Sequence, residues 1–213
     1  MDGNVLADRL GRGMGAGARA IGVVHDVYRP GGAAFPVRLA WRVVQLPAAF
    51  DGGDPGYRRP RYYERSLRGL FDTAYVRVGD YLAGPRGVLF VAAVPALSRP
   101  LCVLTNATVD VWRPSGPAWP GLNDYGGAGP AEAVLTGWPA QVMAGGGGRP
   151  GELPGDAELA GFIVLLPAIM ALRSLGPLRG SDVVSDERGR RFVVGAAEET
   201  EMGWALRVRL VGA

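Results

Sequence analysis

The sequence contains no lysine: all 23 of its basic side chains are arginines. Together with the wealth of Ala, Gly and Pro, this points to a GC-rich coding sequence, so arginine content alone carries little functional weight. The arginines are scattered and the net charge is only +3, so the concentrated basic footprint of a dedicated nucleic-acid reader is missing. A single cysteine, Cys102, excludes a disulfide framework within the chain. It lies in an apolar run with Leu101, Val103 and Leu104, and reads as a buried structural residue compatible with a reducing cytoplasm. A single histidine, His25, leaves no basis for a zinc centre; no catalytic, metal or cofactor-binding set is expected. The longest apolar stretch, GFIVLLPAIMAL at 161–172, is broken by Pro167 and too short to span a bilayer, so no membrane contact is expected. The opening MDGNVLADRLGRGMG has neither the basic start nor the apolar centre of a secretory signal.

What is present is glycine, 34 residues, and proline, 17, a texture that fits many short strands joined by turns. Residues 4–21 are the exception. Leu6, Leu10, Met14, Ala18 and Ile21 recur at spacings of four and three, which places them on one helical face. Gly11, Gly13, Gly15 and Gly17 weaken that helix by roughly 1 kcal/mol each, so it needs a surface to dock on. That surface is either its own domain or a neighbouring subunit.

From residue 23 onward the runs are β-like. VVHDVYRP is one; FPVRLAWRVVQL at 35–46 alternates, with Val37, Leu39, Trp41 and Val43 on one face. AYVRVGDYLAG and GVLFVAAV read as two strands around a Gly84–Pro85 turn, and LCVLTNATVDVWRP supplies at least one more. Residues 114–133 are rich in Pro and Gly without periodicity and read as a linker. A second β-rich stretch follows, interrupted at 144–156.

One phrase occurs twice. VGDYLAGPRGVLFV at 78–91 and GSDVVSDERGRRFVV at 180–194 both run Asp, then Gly seven residues on, then Phe. An offset of 102 pairs Asp80 with Asp182, Leu82 with Val184, Gly87 with Gly189, Phe90 with Phe192 and Val91 with Val193; it also pairs Leu104 with Leu206 and Val109 with Val211. Each copy reads as a hairpin whose turn glycine takes positive φ, followed by a further strand. The expected fold is therefore mainly β: two tandem small β-barrel or sandwich units with an N-terminal helix. The expected boundaries are a helical arm at 1–22, a first unit at 23–113, a linker at 114–133 and a second unit at 134–213. Val37, Leu39, Trp41, Leu82, Phe90, Val91, Leu104, Val184, Phe192, Val193 and Leu206 are the expected core.

Chemistry-bearing motifs are thin. GRGMGAG at 11–17 has GxGxxG-like spacing but no preceding strand, so the dinucleotide-binding context fails. The EETE cluster at 198–201 reads as a solvated turn. The segment YRRPRYYERSLR interleaves arginines with tyrosines. That mixture suits either phosphate and base contact or a protein interface, and the interface reading is favoured. The candidate interface set is Leu6, Leu10 and Met14 on the helix, with Arg58, Arg59, Arg61, Tyr62, Tyr63 and Arg65 in the loop.

The layout RLGRGMG, VYRP, LFDTAYVRVGDYL, LCVLTNATVDVWRP, NDYGG, LTGWPAQV, ELPGD and GRRFVVGAAEETEMGW spans nearly the whole chain. It resembles a family of tailed-phage and prophage virion structural proteins similar to the head-closure, or neck, β-barrel proteins that connect head to tail. These motifs are turn and packing motifs, not catalytic ones. The resemblance implies a non-enzymatic ring component of the virion, made in the host cytoplasm. Its partners would be further copies of itself and neighbouring virion proteins, with non-specific contact to packaged DNA. A tail or baseplate station is the alternative; from another class, so is a β-barrel enzyme or small-molecule binding module.

Overall fold

The computed structural model describes residues 3–51, 66–114, 131–144, 161–170 and 172–212. Helix α1 (Gly3–Ile21) leads into β1 (Val23–Tyr28), β2 (Arg42–Asp51), β3 (Ser66–Leu70), β4 (Tyr81–Gly84), β5 (Gly87–Ala93) and β6 (Leu101–Leu104). Six more strands follow: β7 (Ala107–Pro114), β8 (Ala131–Ala144), β9 (Gly161–Leu166), then after the one-turn helix α2 (Leu172–Leu175) β10 (Val183–Asp186), β11 (Arg191–Thr200) and β12 (Gly203–Gly212).

The strands close into two barrels. Around the first the order is β1-β2-β3-β6-β5-β4, and around the second β7-β8-β9-β12-β11-β10. Adding six to each strand of the first circuit gives the second, so the two barrels share one topology. Closure removes the open edges that a short sheet otherwise exposes, and a six-stranded barrel is narrow enough for side chains to fill. In the first barrel Val27, Leu46, Phe71, Leu82, Leu89, Val91 and Cys102 form the interior. At roughly 1.5–3 kcal/mol for each large apolar side chain taken from water, this interior is the main stabilising term of the unit.

The duplication extends to register. Val27 pairs with Leu82 and Tyr28 with Tyr81; Val111 pairs with Val184 and Trp112 with Val183. A bulge interrupts β5–β6 after Val91 and β11–β12 after Val194. Gly87 and Gly189 both take positive φ, as their turns require.

Four expectations need correction. First, β7 (Ala107–Pro114) falls almost wholly within 23–113 but pairs only with β8 and β10. The barrels therefore meet at Thr105–Asn106, and residues 115–130 lie outside the described residues, between two strands of the second barrel. The long Pro/Gly stretch suggested a linker, but a two-residue joint is the true boundary.

Second, the copies fall one residue out of step after the hairpin turn. Phe90 pairs with Tyr81, the residue after Asp80; Phe192 pairs with Val184, two residues after Asp182. The counterpart of Phe192 in the first barrel is thus Leu89, and that of Phe90 in the second is Val193. Because strand faces alternate, Phe192 points into its barrel while Phe90 points out of its own; both are buried. Leu104 correspondingly matches Leu210, not Leu206, and Val109 is not the counterpart of Val211.

Third, residues 39–41 form a 3-10 turn and the strand starts only at Arg42. Leu39 is 73% exposed and Val43 is also exposed, while Val37 and Trp41 are half-buried. The guanidinium of Arg38 stacks over Trp41 and holds this turn.

Fourth, the face by which α1 docks is not the expected apolar stripe: the helix lies on its own barrel, one of the two surfaces expected for it, against β2, β3 and the 3-10 turn Thr73–Tyr75. Its inner face is Gly11, Met14, Gly15 and Ala18, whereas Leu6, Leu10 and Ile21 are exposed. The glycines are the contact surface: a Cβ on Gly15 would lie 2.9 Å from the Asp72 Cβ.

Candidate functional site

The sequence repeats a second phrase beyond the hairpin. DVYRP at 26–30 and DVWRP at 110–114 are the ends of β1 and β7. Their arginines are the functional partners of the duplicated aspartates. Arg29 donates from Nε to Asp80 Oδ1 at 2.9 Å and from Nη2 to Oδ2 at 2.7 Å. Arg113 donates from Nε to Asp182 Oδ1 at 2.9 Å and from Nη2 to Oδ2 at 3.0 Å. Both are two-pronged pairings, the strong geometry for a guanidinium on a carboxylate.

Each carboxylate also accepts a backbone N–H three residues back, from Arg77 in one barrel and Arg179 in the other. Each guanidinium reaches a carbonyl five residues before its aspartate, Tyr75 O in one case and Pro177 O in the other. One ion pair thus ties a strand end, a connecting loop and the start of the next strand. Asp80 and Asp182 are both 1% exposed, and a carboxylate so buried needs this full set of partners. The hydrogen bonds to Asp80 and Asp182, with their charge, raise the arginines above their ordinary range. The pairs therefore work as struts.

The residue before each aspartate is left-handed: Gly79 at φ +89° and Ser181 at φ +72°. Gly79 has a reason to be glycine, since a Cβ there would lie 2.6 Å from Ala168 O of the second barrel. Ser181 is exposed and bears a side chain at some backbone strain.

Gly79 marks the seam between barrels. Tyr28, Tyr81, Phe90, Ala92 and Val103, facing out of the first barrel, join the apolar cluster that fills the second. Tyr81 donates from its hydroxyl to Pro139 O at 2.8 Å and its ring meets Trp138; burial pushes its phenol well above the ordinary range. Trp138 donates from Nε1 to Ala33 O, and Ala34 bridges to Thr136. The joint is pinned on both sides. Thr105 bonds Val88 O through N and Oγ1, while the Asn106 side chain exchanges two hydrogen bonds with the backbone of Val142.

The remaining reactive types serve the fold. His25 is buried, donates from Nδ1 to its own strand's Val23 O, and has Nε2 packed against Gly84. Cys102 is buried in the first barrel, where desolvation pushes its thiol far up. Asp186 caps its turn, accepting from the N–H groups of Arg188 and Arg190 and from the Arg190 guanidinium. Among the described residues no three or more His, Cys, Asp or Glu side chains gather to hold a metal. No helix there is long and apolar enough to cross a membrane.

Of the interface set read from sequence, Met14 is buried within its own chain, while Leu6 and Leu10 are exposed. Arg58, Arg59, Arg61, Tyr62, Tyr63 and Arg65 lie outside the described residues. The struts themselves went unread, although the DVYRP–DVWRP repeat carried the signal. Comparison with protein-family models, curated proteins and solved structures finds no match to this chain.

Proposed function

We propose that the chain is a structural subunit of a tailed-phage virion, a ring component of the neck that joins head to tail. The observation that supports a structural role best is the use of the buried charge: Asp80, Asp182 and Asp186 are all engaged with arginines that lock turns in place. Each of these carboxylates is held by hydrogen bonds from a guanidinium and from backbone N–H groups of its own turn. The two barrels are joined by a two-residue connection and a shared apolar seam, an arrangement that suits a ring subunit under load. The neck assignment rests on the sequence resemblance alone. Its partners are further copies of the chain and adjoining virion proteins, and the Arg58–Arg65 segment meets a neighbour rather than DNA.

Quantitative mass spectrometry of purified particles tests this reading. A small, fixed copy number per particle is the expected result; particles that lack the chain remove the proposal.

A further inference from the structure

The two barrels share a topology but lie in stretches of opposite charge. Residues 1–106, the helix and first barrel, hold 14 arginines against 8 acidic residues; residues 107–213 hold 9 against 12. Each barrel also carries one element that its twin lacks, and that element has the charge of its side. Helix α1 precedes β1, and no helix precedes β7. The acidic hairpin EETE ends β11 in the second barrel, whereas the matching β5–β6 connection, residues 94–100, carries Arg99 and no acidic residue.

On α1 the helical turn brings Arg9, Arg12 and Arg19 onto one stripe of the outward face. All three are exposed, with the exposed Asp8 at the stripe's margin. Leu6 and Leu10 flank the stripe and are exposed as well. Gly13 lies between and faces open space, since a Cβ there would meet nothing within 4 Å. On the second barrel Glu198 sits opposite Ala205 and Glu199 opposite Trp204, and Glu201 follows in the turn; all three are exposed. That turn is held in shape: the Thr200 hydroxyl donates to Gly203 O and accepts from the Met202 N–H. None of these three arginines and three glutamates enters an ion pair among the described residues.

We propose that the acidic hairpin of one copy, Glu198, Glu199 and Glu201, docks on the arginine stripe of α1 in the next copy, with Leu6 and Leu10 as the apolar margin of the contact. Charge complementarity names the occupant: the chain itself supplies the opposite charge, exposed and unpaired. Like charges repel when helix meets helix or hairpin meets hairpin, so only the head-to-tail arrangement is favoured. Such a contact closes into a ring or extends as a filament. Exposed ion pairs are individually weak and screened by salt, so the contact is reversible and forms as the chain is concentrated. The proposal rests on the self-assembling part of the functional reading and not on its virion setting.

The test is light scattering of the full chain over a range of concentrations. At about 0.01 M salt, where charges act over about 30 Å, multiples of the 22.4 kDa monomer should grow with concentration; at about 1 M, where the range is about 3 Å, the monomer should return. Reversing the hairpin (Glu198→Arg, Glu199→Arg, Glu201→Arg) or the helix (Arg9→Glu, Arg12→Glu, Arg19→Glu) should each abolish association. An equal mixture of the two reversed chains should associate again, because each then offers what the other needs. Should the helix-reversed chain not fold, Arg9→Gln with Arg12→Gln and Arg19→Gln supplies the second arm and should also stay monomeric. A wild-type chain monomeric at low salt overturns the proposal. So does association that survives either reversal, or a mixture that stays monomeric. Helix reversal that removes only retention by duplex DNA, with self-association intact, assigns the stripe to phosphates and overturns it too. None of these outcomes bears on whether particles contain the chain, so failure of this contact and failure of the virion reading are separable.

Discussion

Asp80 and Asp182 hold the same place in two barrels, each gripped by a two-pronged arginine from the end of the first strand of its barrel, Arg29 or Arg113. Arg113 is the more buried of the two arginines, with a side chain 15% exposed against 31% for Arg29. Removing either leaves a buried carboxylate without its counter-ion, at a cost of about 3 kcal/mol. Arg113→Ala should destabilise more than Arg29→Ala, because less water can replace the lost guanidinium. Urea unfolding of the two variants checks the order; equal or reversed losses would contradict the strut account.

Gly79 and Ser181 make a second paired test. Gly79→Ser adds a Cβ at positive φ against the carbonyl of Ala168, and the strain and clash together should cost about 2 kcal/mol. Ser181→Gly at the matching exposed position relieves the same backbone strain, and should be neutral or stabilising by up to about 1 kcal/mol. Thermal melts of both variants measure the contrast.

Burial raises the acid groups Cys102 and Tyr81. The folded state therefore holds their protons more tightly than the unfolded chain does. Their contribution is full below the unfolded pKa values, about 8.5 for a thiol and about 10 for a phenol, and declines as pH rises past them. Stability should start to fall above about pH 8.5, and Cys102→Val should delay the onset toward pH 10. The same burial predicts that a thiol reagent labels Cys102 only as fast as the barrel unfolds. Rapid labelling of folded protein would contradict its placement.

Tyr62→Ala with Tyr63→Ala should block particle assembly while the monomer stays folded, if this segment meets a neighbouring subunit. Normal assembly with altered DNA retention or ejection would place its arginines on the DNA path instead.

Much of the architecture was legible because it rests on local chemistry. The hairpin Asp, Gly and apolar residues fixed the two β units, and the spacing in residues 4–21 fixed the helix. What escaped depended on contacts between distant segments. The one-residue difference between the hairpins changes which face a phenylalanine takes, and only strand pairing reveals it: Phe90 and Phe192 look alike in sequence and point opposite ways. The glycines of α1 read as weaknesses because the surface that needs their smallness, at Leu70, Asp72 and Thr73, lies far along the chain. The struts are written in the chain as DVYRP and DVWRP, but at a different offset from the hairpin repeat, so no single offset aligns both.

The central claim, that this chain is a structural link in the virion neck, is tested most directly by electron microscopy of particles made without it. The account predicts packaged heads and separate tails, with joined particles restored when the intact chain is supplied in trans. Complete, infectious particles formed in its absence would contradict it.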